Sequence, residues 1–199
     1  TMEILRKFQE KHGNIILIWD KGTRGSARQR AIEEVETDWF MFVDSDAILC
    51  DKWFDKAKKF MKSDVGAVWG IEIWPIIKNP RVLKLFKQIA MKVFQTRGGT
   101  HDLLVRYEAV KDIRIPYDLH VFEDAYIEKW IIKKEYRVIS TYQPYCVHLR
   151  PRYIWNMKTG VNIAADYMRC GLLTRYPTLL LSCGFYVAYF AYQLLNNDK

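Results

Sequence analysis

The strongest constraint on this chain is a rhythm in its first 75 residues. Three apolar-rich runs, "NIILIW" (14–19), "DWFMFV" (38–43) and "GAVWGIEIW" (66–74), alternate with stretches of helical periodicity. Runs that do not alternate polar with apolar suit strands covered on both faces. The intervening segments are amphipathic. "TMEILRKFQEKH" gathers Ile4, Leu5 and Phe8 on one side. "ARQRAIEEV" turns Ala27, Ala31 and Val35 inward, with Ser26 as N-cap and Gln29 at the capping-box position. "DKWFDKAKKFMK" groups Trp53, Phe54, Ala57, Phe60 and Met61. Helix, strand, helix, strand, helix, strand predicts an α/β fold with a mixed, mostly parallel sheet flanked by helices.

After Pro80 the rhythm loosens. The sequence predicts a basic amphipathic helix over 81–94 and a strand after Gly98 and Gly99. A helix follows at "VFEDAYIEKWIIKKEY", with Phe122, Tyr126, Ile127, Trp130 and Ile131 on its buried stripe. Two short strands, "RVISTY" and "PYCVHLR", come next. Residues 153–170 predict another amphipathic helix, and Pro177 opens a last apolar one. The reading divides the chain into a domain over 1–150 and a C-terminal helical appendage over 151–199.

Composition enters where partners are concerned. The 199 residues carry a formal net charge of +8 and are 15% aromatic, which suits an anionic partner such as nucleotide phosphates or an acidic membrane surface. No nucleic-acid-binding signature is visible. The four cysteines, at 50, 146, 170 and 183, have no CxxC spacing and none sits beside a histidine at metal-ligand spacing. They read as reduced packing residues of a cytoplasmic chain. Residues 179–195 hold no charge over 17 positions, the short edge of a membrane span. The basic, aromatic stretch before them holds Arg150, Arg152, Lys158, Arg169 and Arg175 with Tyr153, Trp155 and Tyr176. It suits a lipid interface, and a packed helical hairpin or a dimer contact is the alternative.

Four local features offer chemistry. Asp44 and Asp46 end a strand one residue apart, so their carboxylates face the same side, which suits either a solvated loop before an Asp51 helix cap or a hard cation such as Mn²⁺ or Mg²⁺. The turn "KGTRGSARQR" brings Lys21, Arg24 and Arg28 to a helix start, which suits a plain strand-to-helix turn or an anion site, and it is neither a Walker A loop nor a G-x-G-x-x-G turn. Glu123 and Asp124 open a helix, which suits either a general base or simple complementation of the helix dipole. His148, followed by Arg150 and Arg152, ends an apolar strand and could meet a diphosphate.

In order and spacing these segments resemble the inverting family-2 glycosyltransferases of the GT-A fold, over about residues 1–150. "GSARQRAIEEVETDWFMFVDSD" resembles that family's G-x-x-x-A-R-N segment and D-x-D strand, with Gln29 where Asn is usual. "FEDAYIEKWIIKKEYRV" resembles its E-D segment. The resemblance implies a transferase for a nucleotide-diphosphate sugar, with Mn²⁺ or Mg²⁺ on the diphosphate. Asp46 would hold the cation, Asp44 the ribose or the metal shell, and His148 the metal or diphosphate. Arg28 would meet the nucleotide. Asp124 would be the general base, Glu123 would position the acceptor or the base, and Gly98 and Gly99 would floor the acceptor site. The acceptor would be a glycan or a lipid-linked hydroxyl, and the location the cytoplasmic face of a membrane. The family pattern begins with a strand, a helix and a second strand before the helix that opens this chain, and "TMEIL" resembles the tail of the acidic segment that follows them. The expectation is therefore an N-terminally incomplete nucleotide site. A nucleotidyltransferase on a similar sheet and a non-catalytic, basic, membrane-associated module are the competing readings.

Overall fold

The computed structural model describes residues 2–73, 99–149 and 168–169. The expected helix over 81–94, Gly98, Arg150, Arg152, most of the helix over 153–170 and the apolar run 179–195 lie outside the described residues.

The elements are α1 (Met2–Lys11), α2 (Arg24–Glu33), β1 (Trp39–Val43), β2 (Ala47–Leu49), α3 (Trp53–Lys58), β3 (Val65–Ile73), β4 (Asp102–Arg106), α4 (Glu123–Lys133) and β5 (Arg137–His148), with a 3₁₀ turn at Tyr107–Ala109. The described strands form one sheet in the order β1-β4-β3-β5-β2. β3 and β5 pair in parallel, whereas β1–β4, β3–β4 and β2–β5 are antiparallel. The expectation of mostly parallel pairing is corrected here, and the reason is insertion. β1, β3 and β5 do point the same way, as strand–helix alternation requires. β4 then enters between β1 and β3 in the opposite sense, and the short β2 caps the far edge.

A second correction concerns "NIILIW". It forms no strand among the described residues, and Ile16 and Trp19 are 73% and 66% exposed. A strand exists only where a neighbour satisfies its backbone, and no described strand runs beside this segment. α1 likewise buries none of its residues. In α2 the cap is Thr23, whose hydroxyl accepts from Ser26 N–H, and not Ser26 itself. Gly25 and Ile32 are its buried residues, Ala31 packs half-buried against the core as expected, and Ala27 is exposed instead of inward. The two short strands expected over 137–150 are one strand, β5, with a jump in register. Gly70 pairs with Thr141, and the next residue, Ile71, pairs with Tyr145.

Two apolar layers hold the sheet. One face packs Phe42, Trp69, Leu103 and Val105 against Ile127 and Ile131 of α4 and the loop residues Ile113 and Leu119. The other packs Val65, Val68 and Leu104 against Trp53 and Ala57 of α3. Burial of such side chains contributes on the order of 1.5–3 kcal/mol each. The stripe read on α4 holds: Ile127 and Ile131 are buried, and Phe122, Tyr126 and Trp130 pack beside them. Cys50 and Cys146 are free thiols.

Candidate active site

Because β1, β3 and β5 share a direction, Val43, Ile73 and His148 end at one margin of the sheet, and the antiparallel β4 starts there at Asp102. Ligands of open α/β sheets bind beyond this margin. Asp44 and Asp46 leave β1 into a tight turn, closed by Ala47 N–H donating to the Asp44 carbonyl at 3.0 Å. The chain then returns as β2, whose Ala47 pairs with His148. A further bond, Leu149 N–H to the Asp46 carbonyl at 2.8 Å, locks the turn to the end of β5.

The side chains follow from that backbone. Arg28 of α2 donates to Asp44 and, at 2.9 Å, to the Thr100 hydroxyl, while its guanidinium stacks over Phe42, 5.0 Å from the ring centre. His148 Nε2 lies 3.0 Å from Asp46 Oδ1, and its Nδ1 lies 3.5 Å from Glu72 Oε1 at the end of β3. Asp44, Asp46 and His148 each offer a ligand atom within 4.8 Å of the others. The set is two hard oxygens and one imidazole nitrogen, half open to solvent, and it suits Mn²⁺ or Mg²⁺. Arg28 engages Asp44, while Asp46 and His148 engage each other.

α4 delivers Glu123 and Asp124 to the same margin. Its N-cap, Phe122, sits in the left-handed region with φ 64°, an unusual conformation for a bulky side chain and one that collects at functional sites. Asp124 Oδ1 accepts from Ala125 N–H at 2.7 Å. Its Oδ2 faces Gly99, where an added Cβ would stand 3.5 Å from it. That same Cβ would come within 2.5 Å of His101 Nδ1, so the position admits no side chain without displacing the imidazole. Glu123 is buried, and the Thr100 hydroxyl donates to it at 3.4 Å. Burial, then the charge of Asp124, pushes its carboxyl up to about 7, against the pull of Arg28 and Arg24. Arg24 itself is exposed at the start of α2.

The structure thus brings together Arg24, Arg28, Asp44, Asp46, Gly99, Glu123, Asp124 and His148. It adds residues that sequence reasoning missed: Glu72, Thr100, His101 and Asp102. Asp102 is fully buried, accepts from Trp53 Nε1 at 3.0 Å and Gly70 N–H at 3.1 Å, and is pushed up to about 8 by burial. Burial moves the His101 imidazole the other way, below its ordinary value. A histidine and an aspartate opening an apolar strand, "HDLLV", were the available signal.

No curated protein matches the chain. Among solved structures it is similar to the mannosyltransferase PcManGT from Pyrobaculum calidifontis, solved in complex with GDP-Man and Mn²⁺. The TM-score is 0.60 at 18% identity, over 96% of this chain. The chain spans 62% of the length of that neighbour. The likeness carries the fold, a GT-A-like mixed sheet with helices. The sequence profile described as glycosyl transferase family 2 matches residues 1–104, just over half of the chain, and includes the DSD turn. The chain belongs to glycosyl transferase family 2.

Proposed function

We propose that this chain is an inverting glycosyltransferase that uses a nucleotide-diphosphate sugar, Mn²⁺ or Mg²⁺, and a hydroxyl acceptor on a glycan or lipid carrier. The observation that carries the reading is the convergence of Asp44, Asp46 and His148 with the Glu123–Asp124 turn at one margin of the sheet. The neighbour's GDP-Man and Mn²⁺ support a donor and cation of this chemistry.

In this reading Asp46 and His148 would hold the cation, and it would supply positive charge against the departing diphosphate. Arg28, anchored by Asp44 and Thr100, presents positive charge to the nucleotide, with Arg24 beside it; Arg150 and Arg152 are assigned to the diphosphate from their place in the sequence after His148. Gly99, with Gly98 before it, leaves room for the acceptor. Asp124 Oδ2 takes the proton of the acceptor hydroxyl as its oxygen bonds to the anomeric carbon. The bond from that carbon to the diphosphate breaks on the opposite face, so its electron pair leaves with the diphosphate and the configuration inverts. Glu123 holds the Thr100 side of the site and sets the charge environment of Asp124. Residues 1–150 form the catalytic domain, and the basic, aromatic 151–199 contacts a membrane surface carrying the acceptor.

The test is direct. The purified chain should bind a nucleotide sugar, read by thermal shift, only with Mn²⁺ or Mg²⁺ present. Asp124→Asn should keep that binding and lose transfer by about 10²–10⁴-fold. Unchanged transfer in Asp124→Asn would remove it from the role of base.

A further inference from the structure

Behind the donor-cation residues, deeper in the sheet, lies a second set of metal-ligand chemistry. His101, Asp102 and Cys146 are all buried, and each offers a ligand atom within 4.8 Å of the other two. His101 Nε2 and Asp102 Oδ1 are buried atoms with no hydrogen-bond partner among the described residues, though only 3.3 Å separates them. Such groups rarely persist without compensation.

From these residues we propose a buried site for a single transition-metal cation of the zinc class, ligated by His101 Nε2, Asp102 Oδ1 and the Cys146 thiolate. Distance supports it. Two nitrogen or oxygen ligands on a tetrahedral zinc lie roughly 3.3–3.5 Å apart, given bonds of about 2.0–2.2 Å. Charge supports it too, since a divalent cation with one carboxylate and one thiolate is neutral, as burial demands. The donor set separates it from the outer site. A thiolate with an imidazole selects zinc-like cations, whereas two carboxylates beside water suit manganese or magnesium.

The surroundings are built for the purpose. Trp53 Nε1 and Gly70 N–H both bond Asp102 Oδ2, which fixes the carboxylate and leaves Oδ1 toward His101. Outer partners of this kind orient metal ligands. Gly70 is required for this placement, because a Cβ there would come within 2.3 Å of Asp102 Oδ2. Glu72 is the register partner of Cys146 across β3 and β5. Its carboxylate groups with His101 and His148 and not with Asp102 and Cys146, so the fourth position falls to water.

Cobalt(II) reports on such a site without any assay of transfer. The full chain, stripped with chelator, is titrated with Co²⁺ alone. The expected result is tetrahedral Co²⁺ bands with a sulfur-to-cobalt charge-transfer absorption, one equivalent per chain, displaced by Zn²⁺. The spectrum should persist in Asp46→Asn, which disables the outer cation residues, and in Cys50→Ser. Cys146→Ser should lose the charge-transfer band. His101→Gln should weaken Co²⁺ binding by at least about 10–100-fold, the range already set by outer partners. Circular dichroism in chelator checks that both variants fold, and if one does not, the other decides. A titration with no charge-transfer band in the unaltered chain, or a band that survives Cys146→Ser, would overturn the site and leave His101 and Asp102 as a buried proton-sharing pair.

Discussion

Glu123 and Asp124 are adjacent in sequence and divided by environment. Asp124 keeps an oxygen toward Gly99 and the open margin, while Glu123 is enclosed and held up to about 7. An acid whose value is raised in the folded chain stabilises the fold by keeping its proton. The contribution is complete below the ordinary value of 4.5 and is lost as pH rises through about 7. Thermal midpoints should therefore fall across that window. Glu123→Gln should flatten the decline by the equivalent of about 1–3 kcal/mol, measured by melting at successive pH values. An unchanged slope would show that another group carries it. The carboxylates Asp20, Asp64 and Asp112 are lowered by their hydrogen-bond donors, so they act only at more acidic pH. What the sequence displayed at this scale were residues whose partners are near in sequence. The aspartates at 44 and 46 and the acids at 123 and 124 each announce themselves inside a few residues. Asp102 depends on Trp53 and Gly70, 49 and 32 positions away, and no local pattern encodes that.

At the scale of elements, α2 is the piece whose placement decides the donor side. Its first turn docks on the loop over 116–119: Gly25 N–H donates to the Leu119 carbonyl at 3.0 Å, and the Thr23 hydroxyl donates to the Tyr117 carbonyl at 2.6 Å. A Cβ at Gly25 would stand 2.6 Å from the Pro116 carbonyl oxygen and 2.9 Å from Leu119 Cβ. Gly25→Ala should cost about 1–3 kcal/mol of stability. It should also weaken nucleotide-sugar binding, since α2 carries Arg28. Denaturant melts and donor titration check both, and an unaffected Kd would detach Arg28 from the donor. The helix itself was legible as a periodic segment, but its cap was displaced and its face held only in part, with Ala31 on the core and Ala27 exposed. Ser26 spends its hydroxyl on Asp20 and on the Thr23 carbonyl, which leaves Thr23 to cap. Strand directions were legible in the same partial way. Alternation gave β1, β3 and β5 their shared sense, whereas the insertion of β4 depends on pairings between residues far apart in the chain.

For the molecule as a whole, order is uneven. Val65, Ala67, Val68, Leu103 and Val105 at the centre of the sheet are fully enclosed. α1 buries no residue, and 14–19 exposes Ile16, Ile18 and Trp19 without a strand partner among the described residues. Amide exchange should reflect this, with slow exchange in β3 and β4 and fast exchange throughout α1 and 14–19. Equal protection in both regions would overturn this division. The apolar run at 14–19 looked like a core strand because composition reports the preference for burial and not the presence of a neighbour. Among the described residues no helix is long and apolar enough to cross a membrane.

The register jump in β5 has a consequence for tolerance to change in length. Three residues, Tyr142 to Pro144, are spare between the pairings Gly70–Thr141 and Ile71–Tyr145. They work as an expansion joint. Beyond the joint, Cys146, Val147 and His148 are clamped to Leu49, Ile48 and Ala47. The DSD turn and His148 therefore form a module that keeps its own phase. One residue inserted after Tyr142 should be absorbed with Mn²⁺-dependent donor binding retained. One inserted after Ile48 reverses which face the following side chains take and should abolish that binding. Equal loss from both insertions would mean that the module and the rest of the sheet are a single gear.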